Sequence, residues 1–427
     1  MFEAERKLIR FFEKHAYIIF LVVVTIFAIL IRYHGKDMAS GDYNVFLGNW
    51  YEEIKNNGGL NALSTQTGDY NVLYQFFIAL FTYLPIEPLH AYKLLSCIFD
   101  FSLATGCGLL ICNLKYEKFD WKIFTIIYSA VLFLPPVFLN SAFWAQCDSI
   151  YVSFIIWAFL MMRKERFTLA FILFGVSLSF KLQMIFVLPF IIYYYFSSRK
   201  FSLFQTLWIP VVLYISTLPA LIKGRSWTTF YDIYANQTQT YTDMTLNVPN
   251  YWWIQGGFPA FLRIPAIFMA LVILGTALLI IIKYRVNVTN KRLFLLLSSW
   301  SVWTCVTFLP SMHERYMYAL DILLLLMVVL DAKKYLRFFV FTSIISIIVY
   351  GKFLFGTNFD FVIASWLFVA MYAYYSYTVF CECREHVWPP ETEPALTEQP
   401  ETAEGTVSEE VLEEDAEPIP AVSENNA

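Results

Sequence analysis

The sequence predicts an all-α polytopic membrane protein, and three observations support that prediction. Of the 427 residues, 58% are hydrophobic and 15% are charged, whereas about a quarter of a soluble domain is charged. The mean hydropathy is +0.55. Apolar runs long enough to form transmembrane helices recur along the chain. This composition excludes an ordinary soluble enzyme.

The predicted membrane domain covers residues 1–384, and a tail follows at 385–427. From Glu385 onward the chain has thirteen acidic residues and neither Lys nor Arg. Few side chains in this tail suit a hydrophobic core, so we predict that it is acidic, disordered and cytoplasmic. The seven cysteines lie mostly in or beside apolar segments and do not form a disulfide framework.

Twelve apolar segments are predicted to cross the membrane. The first has no small-residue cleavage site behind it, so we interpret it as an uncleaved helix. A further apolar run at 72–84 is too short to cross and is interpreted as a juxtamembrane helix. The predicted crossing segments are 16–31, 91–113, 122–140, 149–162, 168–181, 184–197, 202–222, 260–282, 293–310, 317–330, 336–354 and 360–381.

The distribution of positive charge sets the predicted orientation. With the N-terminus inside and 72–84 not counted as a span, twenty of the thirty Lys and Arg residues fall in cytoplasmic segments, as the positive-inside rule expects. Counting 72–84 as a span would place the basic loops outside. We therefore predict a multi-pass cell-membrane protein with both termini in the cytoplasm and long outer loops at 33–90 and 223–259.

Polar residues suited to catalysis gather in the predicted outer segments. Nucleotide-activated donors stay in the cytoplasm, so chemistry at the outer face favours a lipid-phosphate donor. Such a reaction needs a carboxylate that accepts the proton of an attacking hydroxyl, and Asp42 is predicted to supply it. It also needs cations for the departing phosphate, predicted to be Lys181, Arg315 and His313.

Each of these residues also has a structural interpretation. Asp42 is a good helix N-cap residue. Asp69 belongs to the second of two Gly-Asp-Tyr-Asn sequences and best fits a turn-and-cap unit. Lys181 suits the membrane interface, and Arg315 and His313 suit an interfacial ion cluster with Glu314.

Five sequence landmarks follow one another between about residue 15 and residue 320. They are SGDYNVFLGNW, Gly58-Gly59 with the GDY that follows, WAQCD at 144–148, FKLQ at 180–183 and HERY at 313–316. Together they resemble the GT-C glycosyltransferases, specifically the bacterial relatives of the glycosylphosphatidylinositol second-mannose transferase. WAQCD is similar to the W-G-Q-x-D of this group, with Ala145 in place of Gly.

This resemblance implies an inverting transfer of a hexose from a polyprenyl-phosphate sugar, with Asp42 as the general base. It also implies a helical membrane body with juxtamembrane helices in the first outer loop. No metal or other cofactor is expected, because no His/Asp cluster demands one, although a divalent metal stays an alternative. The further substrate-binding candidates are Trp144, Gln146, Asp148, Gln183, Glu314, Tyr316 and Asp69.

The predicted function is therefore a membrane glycosyltransferase with a glycan, lipid or protein of the cell envelope as acceptor; no nucleic-acid partner is expected. An alternative enzyme is a glycan polymerase or ligase that uses a lipid-diphosphate donor. A lipid-linked sugar flippase or transporter is the alternative from another class. Transporters tend to have internal repeats and ionisable residues near the membrane midplane. Here no clear repeat relates the two halves, and most of the notable polar residues lie at span ends on one side.

Overall fold

Helices make up nearly all of the regular structure in the computed structural model, which describes residues 2–256 and 260–389. The first nine α-helices are α1 (Glu3–His34), α2 (Gly48–Asn56), α3 (Val72–Phe81), α4 (Pro88–Tyr116), α5 (Trp121–Leu132), α6 (Pro135–Phe138), α7 (Asp148–Arg163), α8 (Phe167–Phe180) and α9 (Leu188–Ser198). The later ones are α10 (Leu203–Thr206), α11 (Trp208–Ser216), α12 (Leu218–Ile222), α13 (Thr229–Thr240), α14 (Tyr251–Ile254), α15 (Arg263–Lys283), α16 (Lys291–Phe308), α17 (Tyr318–Leu330), α18 (Ala332–Phe355) and α19 (Phe361–Glu385).

Short irregular helices and two strands complete the regular structure of the described residues. The π-helices are Tyr43–Leu47 and Leu139–Phe143, and the 3-10 helices are Gly59–Ser64, Leu182–Val187 and Ala260–Leu262. The strands β1 (Thr245–Leu246) and β2 (Met312–His313) form one parallel pair.

The predicted all-α class is confirmed, and each predicted crossing segment contains at least one helix. Among the described residues, six helices are long and apolar enough to cross a membrane, or seven if the bent helix pair that starts with α5 counts as one span. Helices of crossing length support a multi-pass membrane protein. The predicted number of twelve spans is not confirmed, because helices such as α8 and α17 fall short of the roughly 20 residues that a full crossing needs.

The first outer loop contains the helices that the sequence predicts for it. Between α1 and α4 the chain forms the π-helix Tyr43–Leu47, then α2, a 3-10 helix and α3. The side-chain oxygen of Asn71 accepts a hydrogen bond from the backbone amide of Val72 at 2.7 Å and so caps α3. The Gly-Asp-Tyr-Asn sequence at 68–71 thus includes a helix cap, and its capping residue is Asn71 and not Asp69.

The core surrounds α16, in which every residue from Leu293 to Phe308 is buried. Outer helices instead expose apolar side chains, and Ile264 at the start of α15 is 80% exposed. A helix that is apolar on its exposed face suits contact with lipid.

A buried ion pair ties the end of α1 to the interior. Nε of Arg32 lies 2.8 Å from Oδ2 of Asp100 in α4. The hydroxyl of Ser141 donates to the same oxygen at 2.5 Å. A charge inside the bundle needs partners of this kind, and the pair keeps α1, α4 and the 139–143 π-helix together directly before the first outer loop.

Loops predicted to share one side of the membrane contact one another. On the predicted inner side, Nζ of Lys291 lies 3.0 Å from the carboxylate of Glu117, and Arg163 donates to the carbonyl of Thr289 at 2.7 Å. The predicted outer segments meet at the candidate site described below. The bundle thus has two ends, each built from loops of one predicted side.

The predicted tail at 385–427 lies outside the described residues from 390 onward. Before that point, α19 ends at Glu385 and Val387 forms an antiparallel bridge with Val286. The backbone amide of Trp388 donates to the carbonyl of Arg285 at 2.8 Å. These contacts join the end of α19 to the connection between α15 and α16.

Candidate active site

A polar cavity of about 190 Å³ lies where the predicted outer segments meet. Its wall is drawn from parts of the chain that are far apart in sequence. Eight of the eleven predicted site residues line it, namely Asp42, Asp69, Gln146, Lys181, His313, Glu314, Arg315 and Tyr316. The other three, Trp144, Asp148 and Gln183, lie behind or beside this wall.

Asp42 directs its carboxylate to the other motifs and not to its own helix. Although it directly precedes the π-helix Tyr43–Leu47, its side chain makes no capping bond, so the N-cap interpretation is wrong. Oδ2 accepts hydrogen bonds from Nε1 of Trp144 at 2.9 Å and Nε2 of Gln146 at 2.8 Å. Nη1 of Arg315 lies 3.5 Å from the same oxygen. Within the described residues Oδ1 has no hydrogen-bond partner, so one oxygen is anchored and the other is free.

Trp144 is fully buried and holds Asp42 from behind. Its ring stacks on Phe353 of α18 with centroids 4.2 Å apart. Its carbonyl accepts a hydrogen bond from the hydroxyl of Ser40 at 2.8 Å. Trp144 therefore positions Asp42 and does not line the cavity.

Gln146 joins two of the sequence landmarks. Its amide donates to Asp42, while its oxygen accepts from the hydroxyl of Tyr70 at 3.0 Å. The preceding residue, Ala145, has a φ of +67°, a conformation that favours Gly. Ala145 thus occupies the position of the Gly in W-G-Q-x-D with a left-handed backbone conformation.

Asp148 lies behind the cavity and contacts two of the predicted phosphate-binding cations. It is fully buried, and its Oδ1 forms an ion pair with Nζ of Lys181. Oδ2 accepts a hydrogen bond from Nδ2 of Asn140 at 2.8 Å and lies 3.8 Å from Nε of Arg315. Asp148 therefore orients the cations.

Lys181 lies in extended backbone conformation between α8 and the 3-10 helix Leu182–Val187, and its side chain lines the cavity. Its side chain is only 2% exposed. Besides Asp148, it lies above the rings of Tyr70 and Tyr151, with Nζ 5.9 and 5.8 Å from the centroids. Such aromatic faces stabilise a buried cation.

Arg315 keeps part of its guanidinium available. Nη1 donates to Oε1 of Glu314 at 3.0 Å, and Nε is buried 3.8 Å from Oδ2 of Asp148. Nη2 has no hydrogen-bond partner among the described residues. Burial alone would lower the pKa of Arg315, but the neighbouring Tyr70, Glu314 and Asp42 raise it. The side chain is therefore a permanent cation with a free donor at Nη2.

The long outer loop reaches this site through a backbone pairing. Leu246 of β1 is the partner of His313 in β2. The His313 ring lies edge-on to that of Tyr241, with centroids 4.6 Å apart, and its Nδ1 is 3.7 Å from Oε2 of Glu314. Burial would raise the pKa of Glu314, but interaction with His313 and Arg315 lowers it.

A second cavity, of about 280 Å³ and lined mainly by apolar side chains, adjoins the first. The predicted substrate-binding residue Gln183 lines this cavity and is absent from the wall of the polar one. The two cavities have four wall residues in common, namely Gln237, Tyr241, His313 and Tyr316.

Asp69 lines the polar cavity without a protein partner. Among the described residues, no donor forms a hydrogen bond or ion pair with its carboxylate. Burial raises the pKa of Asp69, and the charge of His313 partly opposes this.

Several cavity residues were not predicted from the sequence. Trp50 and Tyr70 lie inside the quoted landmarks, so their motifs carried a signal. Tyr241 lies in the predicted outer loop at 223–259, which none of the quoted landmarks covers. Nothing in the sequence marks Phe353, which reaches the cavity from α18.

A group of side chains able to hold a metal ion lies at the opposite end of the bundle. Within the described ranges it comprises Glu382, Glu385 and His386. Glu382, however, already pairs with Lys334 and lies 3.2 Å from Nη1 of Arg292. Two cations on one carboxylate disfavour a further positive ion.

Part of the sequence is similar to a curated glycosyltransferase. No family model matches the chain. The chain is 30% identical over 146 residues to "GPI mannosyltransferase 1" of Saccharomyces cerevisiae (strain ATCC 204508 / S288c), a match that covers 34% of each protein. The chain thus aligns with about a third of the length of that relative. The similarity supports a distant relationship to a glycosyltransferase. It does not identify the bacterial branch of the GT-C group that the landmarks predict.

Proposed function

We propose that the protein is a membrane glycosyltransferase that moves a hexose from a polyprenyl-phosphate sugar to a cell-envelope acceptor, with inversion. The observation that carries this proposal is the arrangement of Asp42, Lys181 and Arg315 around one cavity. A proton acceptor and two cations in a shared polar space are what a transfer from a lipid phosphate requires. The relationship to a glycosyltransferase points in the same direction.

Asp42 is suited to the role of general base because its two oxygens differ. Trp144 and Gln146 hold Oδ2 in place, and Oδ1 is left to take the proton of the acceptor hydroxyl. The hydroxyl oxygen then attacks the anomeric carbon from the face opposite the phosphate. The bond between that carbon and the phosphate oxygen breaks, and its electron pair leaves with the lipid phosphate.

Arg315 and Lys181 are suited to the growing charge on that phosphate. Arg315 lines the cavity, and its Nη2 has no hydrogen-bond partner among the described residues, so its permanently charged guanidinium can donate to a phosphate oxygen. Lys181 adds a charge that Asp148 holds in position. His313 lies at the junction of the two cavities and is a third candidate for this contact.

The apolar cavity fits the lipid part of such a donor. A polyprenyl-phosphate sugar has a polar head joined to a long hydrocarbon chain, and the site has a polar and an apolar cavity with a shared wall. The hydrocarbon chain of the donor already lies in the bilayer, so this cavity would contribute packing contacts and not the removal of apolar surface from water.

The location of the reaction follows from the predicted orientation. We place the site at the extracytoplasmic face of the cell membrane, in a body with twelve spans and both termini in the cytoplasm. The support is that the basic loops lie at one end of the bundle and the cavity lies at the other. The acceptor is a glycan, lipid or protein of the envelope.

The decisive experiment compares Asp42→Asn with Asp232→Asn, an exposed outer-loop carboxylate that lines neither cavity. Each purified variant is reconstituted with labelled polyprenyl-phosphate hexoses and envelope extract as acceptor. Asp42→Asn should lower transfer by about 10²–10⁴-fold, the usual contribution of a general base, and Asp232→Asn should not. Donor binding should persist in Asp42→Asn because Asn keeps an oxygen for Trp144. Undiminished transfer by Asp42→Asn would exclude Asp42 as the base, and movement of the lipid-linked sugar across proteoliposomes without bond formation would exclude the enzyme.

A further inference from the structure

The turn that carries Asp69 is a rigid part of the cavity wall that the proposed transfer does not use. Gly68 has a φ of +70°, and a Cβ atom there would lie 2.4 Å from the Trp50 ring. Nε2 of Gln66 donates to the carbonyls of Gly68 at 2.7 Å and Tyr70 at 3.1 Å. Only Gly fits the position before Asp69, and the backbone on both sides of Asp69 is held.

Two further contacts anchor the same turn to neighbouring elements. The hydroxyl of Thr67 donates to Glu53 of α2 at 3.0 Å. Nη2 of Arg225, which precedes α13, donates to Oε1 of Gln66 at 2.6 Å. Side chains that bind a ligand are most effective on backbone held in this way.

The carboxylate on this turn is unpaired, unlike the other acidic groups of the site. Asp42 and Glu314 contact Arg315, and Asp148 contacts Lys181. No described donor reaches Asp69. A half-buried carboxylate without a partner loses hydration and gains nothing from the protein. Asp69 is therefore suited to accept hydrogen bonds from the donor groups of a bound ligand.

An aromatic ring lines the cavity beside Asp69. Trp50 belongs to the cavity wall and packs edge-to-face with Tyr70, the residue after Asp69, with centroids 5.7 Å apart. A hexose ring presents an apolar C–H face and an edge of neighbouring hydroxyls. An indole ring and a carboxylate match these two surfaces.

We propose that Asp69 and Trp50 form a hexose-binding subsite of this cavity. The carboxylate of Asp69 accepts hydrogen bonds from neighbouring hydroxyls of one sugar ring, and the Trp50 ring packs on the C–H face of that sugar. This inference rests on the proposed function, since a sugar-transferring site must hold a hexose from its donor, its acceptor or both.

The test measures ligand binding by the full-length protein in lipid nanodiscs, with saturation-transfer NMR titrations. The probes are citronellyl phosphate, its mannose and glucose conjugates, and the methyl α-glycosides of mannose, glucose and galactose. The variants are Asp69→Asn and Trp50→Ala. Their matched controls are Asp232→Asn and Trp227→Ala, two exposed outer-loop positions that line neither cavity.

Asp69→Asn should weaken at least one hexose-bearing probe about tenfold or more, because a neutral amide replaces the charged acceptor of its hydrogen bonds. Trp50→Ala should weaken the same probe about tenfold, because the ring that packs on the sugar is lost. Citronellyl phosphate should bind within a factor of two of the wild type. Weakening of the citronellyl conjugates assigns the subsite to the donor sugar, and weakening of the methyl glycosides alone assigns it to the acceptor sugar.

Three results would overturn the subsite: no binding of any hexose probe to the wild type, unchanged hexose binding in both variants, or an equal loss of citronellyl phosphate. Arg315→Lys tests the proposed function separately. If that variant binds citronellyl phosphate as well as the wild type does, the phosphate assignment fails, while the result for Asp69 is still decided on the sugar probes.

Discussion

Replacing Asp148 by Asn removes the negative charge that pairs with Lys181 while keeping the shape of the side chain. Asp148 is inaccessible and Lys181 is 2% exposed. Removal of one partner from a buried ion pair costs about 3–5 kcal/mol, because the other charge stays buried without compensation. Asp148→Asn should fall at the upper end of that range, since Arg315, with Nε 3.8 Å from Oδ2, loses a nearby negative charge as well.

Lys181→Met should cost less than Asp148→Asn. The carboxylate that remains would keep the hydrogen bond from Asn140 at 2.8 Å and the nearby Arg315. The double variant leaves neither charge unpaired in the original pair. Its loss of stability should therefore be smaller than the sum of the single losses by about 2–3 kcal/mol, the upper part of the range of about 0.5–3 kcal/mol found for directly coupled residues.

The measurement is the free energy of unfolding in mixed detergent micelles for the wild type, both single variants and the double variant. Lys200→Met is the control, because Lys200 pairs with Glu165 at 2.6 Å with exposed fractions of 40% and 60%. An exposed pair of that kind contributes about 1 kcal/mol or less. Additive losses at Asp148 and Lys181, or a cost for Asp148→Asn no greater than that for Lys200→Met, would refute this account of the site.

Two further outcomes follow from the turn before α3. Gly68→Ala should lower stability by about 1 kcal/mol or more, from left-handed backbone strain and the 2.4 Å approach to Trp50, and should reduce transfer. Gly41→Ala in the matching Gly-Asp-Tyr-Asn sequence has nothing within 4 Å of the added methyl and should be tolerated. If Gly41→Ala lowered stability and transfer as much as Gly68→Ala does, the conclusion that only Gly fits position 68 would be contradicted. Asp69→Asn should raise stability at pH 7, because burial raises the pKa of Asp69 and the folded state therefore disfavours the ionised form. That gain should vanish as the pH falls towards about 4, the ordinary pKa of Asp, and a gain independent of pH in unfolding titrations would show another cause.

Much of the fold could be predicted because hydropathy acts locally. Each apolar run becomes a helix, since backbone groups away from water must be bonded within their own segment. The number of complete crossings is harder to predict, because it depends on how helices tilt, bend and bury one another. The bend after α5, next to Pro135, and the short length of α17 are examples.

It could be predicted from the sequence which landmarks come together to form the site, but not which of their side chains face the cavity. The landmarks that contain Asp42, Lys181 and Arg315 lie at helix ends on one predicted side, and the structure brings them into one cavity. Whether a landmark residue faces the cavity depends on its direction from the backbone. Trp144 and Asp148 turn inward, so each acts on a neighbouring side chain. No local pattern specifies that choice, which arises from packing against α18 and α8.

The pairing of β1 with β2 links the outer loop to the segment of His313 and Arg315 through main-chain hydrogen bonds. Such bonds do not depend on side-chain identity, and a further one joins the amide of Ser311 to the carbonyl of Met244 at 2.9 Å. The half-buried side chain of Leu246, which lines the polar cavity, can thus be exchanged by engineering without loss of the tether, whereas the buried Met244 and Thr245 must be kept. A library that varies position 246 would alter the wall of the cavity while its chemical centre stays in register.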